Sequence, residues 1–61
     1  MTLKIEMEMD NAAFLECSGN EVARILREIA YFSEGRKLDG DCDIGPVLDL
    51  NGNVVGKVVI K

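Results

Sequence analysis

The sequence predicts an α+β fold, with one amphipathic helix on one face of a three-stranded, mostly antiparallel sheet in the chain order β-α-β-β. Three observations support this prediction. Residues 2–9 alternate between apolar and polar, residues 18–35 have helical apolar spacing, and residues 47–60 form an apolar hairpin around an Asn-Gly pair. A chain of 61 residues is near the lower limit for independent folding, so we expect a single domain over residues 1–61.

The first strand is predicted from strict period-two alternation. In residues 2–9, TLKIEMEM, the apolar side chains share one face and the polar side chains share the other. This pattern is typical of a half-buried strand. Residues 12–16 are compatible with a short helical turn, in which Phe14 and Leu15 would cover one end of the core.

The helix is predicted over residues 18–35, SGNEVARILREIAYFSEG. Ser18 and Glu21 have the spacing of a capping box, in which each side chain accepts a hydrogen bond from a free backbone N–H at the helix start. Gly35 occupies the position after the helix at which a left-handed residue is common. The apolar face has the spacing i, i+3, i+4, i+7 and comprises Val22, Ile25, Leu26, Ile29 and Phe32.

Two turns are possible for the hairpin in residues 47–60. One is a two-residue Asn-Gly turn; the other is a type I turn that starts at Asp49 and has Gly52 left-handed in a bulge. We favour the second because it places Leu48 opposite Val54 and gives one consistently apolar face. The predicted core face then comprises Ile44, Leu48, Val54, Gly56, Val58 and Ile60, with Gly56 facing the helix.

The last strand is the most apolar segment and is predicted to lie in the centre of the sheet, which gives the strand order 1-3-2. The opposite face of the hairpin would carry Val47, Val55 and Val59 among charged side chains. A half-apolar sheet face that no helix covers is suited to self-association. These three valines are therefore the predicted interface of a homo-oligomer, with a dimer as the first expectation.

The charge and composition argue against several classes of function. The net charge is −4, and outside residues 22–37 the chain carries three basic and nine acidic side chains, so duplex nucleic acid is not an expected partner. No apolar run approaches the about 18 residues of a membrane span, and the N-terminus is no signal peptide. We expect a cytoplasmic protein without membrane association, in which Cys17 and Cys42 are free thiols; the sequence leaves a disulfide between them open.

No metal or cofactor site is expected. The chain has no His, the commonest metal ligand and general base. Asp39, Asp41 and Asp43 alternate as at the start of a calcium loop, but Ile44 and Leu50 stand where such a loop needs Gly and Glu. A solvated acidic loop is therefore favoured over a weak cation site.

The helix side that faces away from the core carries the predicted ligand-binding residues. Arg27 and Tyr31 lie one turn apart, so a guanidinium and a phenol project side by side and could bind a phosphate and stack on a base. The alternative is a solvated surface that includes an i, i+4 ion pair between Arg24 and Glu28. The predicted ligand-binding set is Arg24, Arg27, Tyr31 and Arg36.

Three blocks of the sequence resemble small accessory proteins encoded by tailed bacteriophages and prophages. The blocks are residues 10–14 (DNAAF), 21–26 (EVARIL) and 48–56 (LDLNGNVVG), in the same order. Members of this group usually enter the helix through a Pro-Gly-like sequence, whereas residues 17–19 of this chain are Cys-Ser-Gly. The resemblance implies no catalytic residue. It implies an accessory phage protein, located in the host cytoplasm, that binds and blocks a component of the host.

The sequence therefore predicts a binding protein rather than an enzyme. No base accompanies a nucleophile, no pair of buried carboxylates is evident, and the chain is too short to enclose an active site. The first hypothesis is a host-counteracting, anti-defence homo-oligomer that sequesters a small anionic or nucleotide-type ligand between its subunits. The alternative is an inhibitor that binds a host protein directly, through its acidic surface or its exposed helix face.

Overall fold

The computed structural model describes residues 1–40 and 44–61 and has the predicted chain order. The elements are β1 (Leu3–Met7), a 3-10 turn (Ala12–Phe14), α1 (Ser18–Ser33), β2 (Pro46–Leu48) and β3 (Val54–Ile60). β3 lies between β1 and β2, and both neighbours run antiparallel to it. The α+β class and the strand order 1-3-2 are confirmed. Asp41, Cys42 and Asp43, which carry the acidic loop and the second thiol, lie outside the described residues.

α1 ends as predicted but starts differently. Gly35 has a φ of +78°, the left-handed conformation expected after a helix. At the start, Cys17 is the capping residue and no side chain caps the first turn. The prediction of a capping box formed by Ser18 and Glu21 is wrong, because the Glu21 carboxylate accepts hydrogen bonds from Arg24 and from the hairpin instead.

The hairpin turn has the geometry that the sequence favoured. The Gly52 N–H donates to the Asp49 carbonyl over 3.1 Å, and the Asp49 N–H donates to the Asn53 carbonyl over 2.9 Å. Gly52 has a φ of +84°, and Leu48 pairs with Val54. This turn and its register are confirmed.

The predicted faces of the hairpin, in contrast, are partly wrong. Val47 and Val55 are only 4% and 5% exposed and belong to the core, whereas Leu48 and Val54 are exposed. The pairing explains the difference: Val47 pairs with Gly56 while Leu48 pairs with Val54, so β3 has one extra residue at Val55. An extra residue shifts the alternation of side chains beyond it, which exchanges the two faces.

The burial of Val47 and Val55 removes them from the predicted oligomer interface. Both side chains are covered by their own chain, so their expected position on an exposed sheet face is wrong. Val59 is half-buried and pairs with Lys4 of β1. Its role in an interface stays a prediction.

Gly56 makes a close approach to β1. A Cβ built at this position would meet the backbone of Glu6, lying 2.7 Å from its carbonyl carbon and closer still to its oxygen. Gly56 pairs with the buried Val47 and lies two residues from the buried Val58, so it is on the core side of the sheet, and its closeness to the helix stays a prediction. Its missing side chain lets β3 and β1 pair beside the bulge, since Gly56 is the partner of Met7.

The core lies between α1 and the β2–β3 half of the sheet. Ile25 of α1, Val47 of β2, and Val55 and Val58 of β3 are buried, and Phe14 covers one end as predicted. No residue of β1 is fully buried, although Met7 packs against the margin of the core. Leu15 and Leu26, both expected in the core, are exposed. In the described part of the chain, no helix has the length and hydropathy needed to cross a membrane.

Candidate binding surface

The predicted ligand-binding residues lie together along one side of α1 and just beyond its end. We define the helix surface as the shallow, open groove lined by Arg24, Arg27, Glu28, Tyr31, Phe32 and Arg36. Residues three and four apart on a helix are neighbours, which explains why this set is contiguous. The four predicted residues share this surface, but they differ in how far their side chains are already bound by other groups of the protein.

Arg24 is held by the protein itself. Its Nε donates to Glu21 Oε1 over 2.7 Å, its Nη1 donates to Glu28 Oε1 over 2.9 Å, and its Nη2 reaches both Glu21 Oε2 and the Leu48 carbonyl. The hydrogen bond with Glu21 raises the pKa of Arg24 further, although burial opposes this. The ion pair predicted between Arg24 and Glu28 is confirmed. Arg24 therefore joins α1 to β2, and its donors are largely occupied.

Arg36 is also partly engaged. Its Nε donates to the Phe32 carbonyl over 2.6 Å, and its guanidinium carbon lies 4.2 Å from the centroid of the Phe32 ring. A cation at this end of a helix is favoured by the free carbonyls and by the ring face. These contacts fix the direction of the side chain while its terminal nitrogens have no partner in residues 1–40 and 44–61.

Arg27 and Tyr31 are the unoccupied members of the helix surface. Both are exposed, Tyr31 to 83%, and neither has a polar partner within the part of the chain that the structure describes. They lie one turn apart on a helix whose neighbouring cations, Arg24 and Arg36, are already positioned by other contacts. A ligand at this surface would find a guanidinium fork and a phenol that make no competing contacts.

The burial of two carboxylates was not predicted from the sequence. Glu21 and Asp49 are 6% and 4% exposed and connect α1, the residue before the 3-10 turn, and the β2–β3 turn. We define the acid cluster as Glu21, Asp49 and the groups that donate to them. Glu21 accepts from Arg24 and, through Oε2, from the Leu50 N–H over 2.8 Å.

Asp49 is the more completely satisfied of the two acids. Its Oδ1 accepts from the backbone N–H groups of Asn51 and Asn53 over 2.9 and 2.8 Å. Its Oδ2 accepts from the side-chain amides of Asn11, over 2.6 Å, and Asn53, over 3.2 Å. The Asn11 amide oxygen in turn accepts from the Ala13 N–H, which orients the amide.

The electrostatics of the acid cluster favour a structural role. The hydrogen bond from Arg24 lowers the pKa of Glu21 even though burial opposes it. Burial alone would raise the pKa of Asp49, but the hydrogen bonds from Asn53, Asn51 and Asn11 outweigh it and the net shift is downward. The expectation that no buried carboxylates come together was therefore wrong. Both groups are ionised acceptors at neutral pH, with no proton to supply as a general acid.

The described residues contain no group of three or more His, Cys, Asp or Glu side chains that could hold a metal ion. Of the acidic loop, Asp39 is described and has a polar interaction, while Asp41 and Asp43 lie outside the described residues. Cys17 is a free, exposed thiol next to the start of α1.

Comparisons with protein-family models, with curated proteins and with solved structures found no match to this chain.

Proposed function

We propose that the protein is a non-catalytic binding protein whose helix surface docks an anionic ligand, with Arg27 and Tyr31 as the contacting residues. The observation that carries this proposal is the pairing of an unoccupied guanidinium with a phenol that is 83% exposed. Exposed Tyr and Arg are the residue types that most often anchor interfaces. The surface lies on a chain of net charge −4, so these cations give it a sign opposite to that of most of the molecule.

A binding role fits the chemistry of the remaining side chains better than catalysis. The two buried acids are satisfied by hydrogen bonds and have lowered pKa values, so neither is poised for proton transfer. The exposed Cys17 thiol has no His beside it, because the chain contains none. Binding through the helix surface needs none of these groups.

The ligand class that suits the surface best is a small anion with a planar group, such as a nucleotide. A guanidinium binds phosphate through two parallel hydrogen bonds, and a phenol stacks on a base. Because the groove is open, one copy covers one side of such a ligand and a second copy would be needed to enclose it. We further propose, from the resemblance to phage accessory proteins, that this sequestration counteracts a host defence in the cytoplasm.

A host protein is the second candidate for the ligand. The high exposure of Tyr31 on an open helix surface favours this alternative, since flat surfaces with a protruding aromatic residue suit protein partners. The two candidates differ in what the purified protein would retain. A small ligand would be released on denaturation as a defined mass, whereas a protein partner would be recovered as a second chain.

Titration calorimetry with inorganic phosphate and with linear and cyclic nucleotides tests the small-ligand proposal. Arg27→Ala should weaken binding by about 1.5–3 kcal/mol, because a hydrogen bond to a charged group is lost. Lys57→Ala is the matched control, since it removes one positive charge from an exposed position on β3, away from α1. Equal losses in the two variants would mean that only net charge matters, and no binding by the parent would reject the small-ligand proposal.

A further inference from the structure

We propose that two copies of this chain pair through the outer edge of β1, antiparallel and about a two-fold axis at Ile5, to form a continuous six-stranded sheet. The proposal concerns association alone and does not depend on any ligand of the helix surface. It rests on three properties of β1: the direction of its unpaired backbone groups, its charge pattern and its uncovered apolar side chains.

The backbone of β1 presents a regular set of free hydrogen-bonding groups. Thr2 and Lys61 exchange both of their N–H···O bonds, and the Glu8 N–H donates to the Val55 carbonyl. In an antiparallel ladder such pairs alternate, so the even-numbered residues of β1 bond to β3 and the odd-numbered residues point away from it. Within residues 1–40 and 44–61, β3 is the only strand beside β1. The N–H and C=O groups of Leu3, Ile5 and Met7 therefore face the open edge.

Those three residues fix the register of a symmetric pair. With the two-fold axis at Ile5, Ile5 lies opposite the partner's Ile5, and Leu3 lies opposite the partner's Met7. All three odd-numbered residues then exchange hydrogen bonds with their counterparts. The two sheets keep the same orientation, so both copies of α1 would cover the same side.

The charge pattern selects this register over its neighbours. With the axis at Ile5, Lys4 lies opposite the partner's Glu6, and the symmetry repeats this pair on the other side of the axis. Shifting the axis by one residue would place either two Lys4 or two Glu6 side chains opposite one another. Opposite charges directly across an antiparallel pair stabilise it and like charges destabilise it, so the sequence of β1 is complementary to itself in one register.

The apolar side of β1 gives the pair its driving force. Leu3 and Ile5 share a face with Val58 of β3, whose side chain is buried under the helix, yet they remain 49% and 37% exposed. A second copy would place Ile5 beside the partner's Ile5 and Leu3 beside the partner's Met7, which continues the apolar face across the junction. Among the described residues, the core comprises five buried apolar side chains, which is small for independent folding, and association is one of the usual supplements.

The other edge of the sheet is a poorer template. β2 has three residues and begins at Pro46, which has no N–H to donate. β1 has five residues and contains no proline. The free edge of β1 therefore offers more hydrogen bonds and the only self-complementary charge pattern among the described strands.

Sedimentation velocity of the purified full chain over a range of micromolar concentrations tests the proposal. The parent should sediment as a dimer, while Lys4→Glu and Glu6→Lys should each weaken dimerisation at least about tenfold, because each change puts two like-charged pairs across the axis. The double variant Lys4→Glu/Glu6→Lys restores opposite charges in the same register and should recover the parental dimer. A monomeric parent, or a double variant no better than the single variants, would overturn the proposal.

A cross-link tests the position of the axis without relying on charge. In a background with Cys17→Ser and Cys42→Ser, Ile5→Cys should form a disulfide-linked dimer on mild oxidation. Hydrogen-bonded antiparallel partners have Cα atoms about 5.5 Å apart, within the range a disulfide spans. Val54→Cys, at an exposed valine on β3, is the control and should cross-link far more slowly. Equal cross-linking of the two variants would place the interface elsewhere and overturn the proposal.

Discussion

Glu21 and Asp49 are the residues on which the local architecture depends most. Each is buried, yet each is surrounded by donors: the Arg24 guanidinium and the Leu50 N–H for Glu21, and amide groups for Asp49. Together they connect the start of α1 and the segment before the 3-10 turn to the β2–β3 turn. Removing one partner would leave a buried polar group unsatisfied, which is more costly than never having made the bond.

The lowered pKa values of Glu21 and Asp49 predict the pH dependence of stability. The ordinary pKa values of these groups are 4.5 and 3.8. As the pH falls through these values, the unfolded chain binds protons at both carboxylates while the folded chain still keeps them ionised. The free energy of unfolding should therefore be nearly constant between about pH 5.5 and 7 and should fall as the pH drops below about 4.5. Thermal unfolding measured across this range by circular dichroism checks the sign of the dependence.

Glu21→Gln provides the comparison for the pH profile. This variant keeps the shape of the side chain but loses the charge that Arg24 and the Leu50 N–H stabilise, so it should be less stable at pH 7 and lose less stability on acidification. A parent protein that becomes more stable between pH 5.5 and pH 3.5, or a variant with the same profile as the parent, would contradict the role assigned to Glu21.

Gly56 is the residue at which a single methyl group is predicted to matter most. A Cβ at this position would meet the Glu6 backbone of β1, which cannot move without disturbing the ladder. Gly56→Ala should therefore lower the free energy of unfolding by about 1–3 kcal/mol, measured by urea denaturation. Gly19→Ala, at a helical glycine where the new Cβ would have no atom within 4 Å apart from the adjacent residues and the nearby helix backbone, should be neutral or slightly stabilising. A Gly56→Ala variant as stable as the parent would contradict the pairing of β1 with β3.

At the scale of the elements, the patterns that repeat were predictable and the single irregularity was not. Alternation in β1, helical spacing in α1 and the Asp49–Gly52 turn each follow from local sequence, and the high apolar content of the last strand predicts the strand order. The extra residue at Val55 has no local signature in a run of apolar residues, and it exchanges the faces of Val47 and Leu48. One unrecognised bulge therefore placed Val47 and Val55, two of the three predicted interface residues, in the core.

The same limits apply to the candidate site. The helix surface was predictable because Arg24, Arg27 and Tyr31 share helical spacing. Which of these side chains already have partners within the protein was not predictable. Arg24 is occupied through the Leu48 carbonyl and the buried Glu21, which are contacts that only the tertiary structure creates. The signal that was available is that Glu21 precedes Ile25 by four residues, which places it on the core side of α1.

The bulge in β3 gives a prediction from two adjacent valines. Val55→Thr puts a hydroxyl into the core and should lower the free energy of unfolding by about 1–3 kcal/mol, whereas Val54→Thr at an exposed position should change it by less than about 0.5 kcal/mol. The two substitutions have the same chemistry, so urea denaturation of both variants separates burial from β-propensity. The reverse order of effects would restore the regular alternation and exclude the bulge at Val55.

At the scale of the whole molecule, the protein combines a small core with two surfaces of different character. The edge of β1 is apolar on one side and self-complementary in charge on the other, which suits a second copy of the chain. The helix surface is cationic and carries an exposed phenol, which suits an anion. The two surfaces use different elements, so a substitution at one surface leaves the side chains of the other unchanged.

The most direct test of the proposed function is native mass spectrometry of the parent protein and the Arg27→Ala variant, both expressed in the same cells and purified under the same conditions. We expect the parent to retain an additional small mass that is released on denaturation, and Arg27→Ala to fold normally but retain little of it. If the parent carries no additional mass while Arg27→Ala and Tyr31→Ala both keep full activity in an assay of the proposed anti-defence function, the helix surface is solvated and the proposed function is wrong.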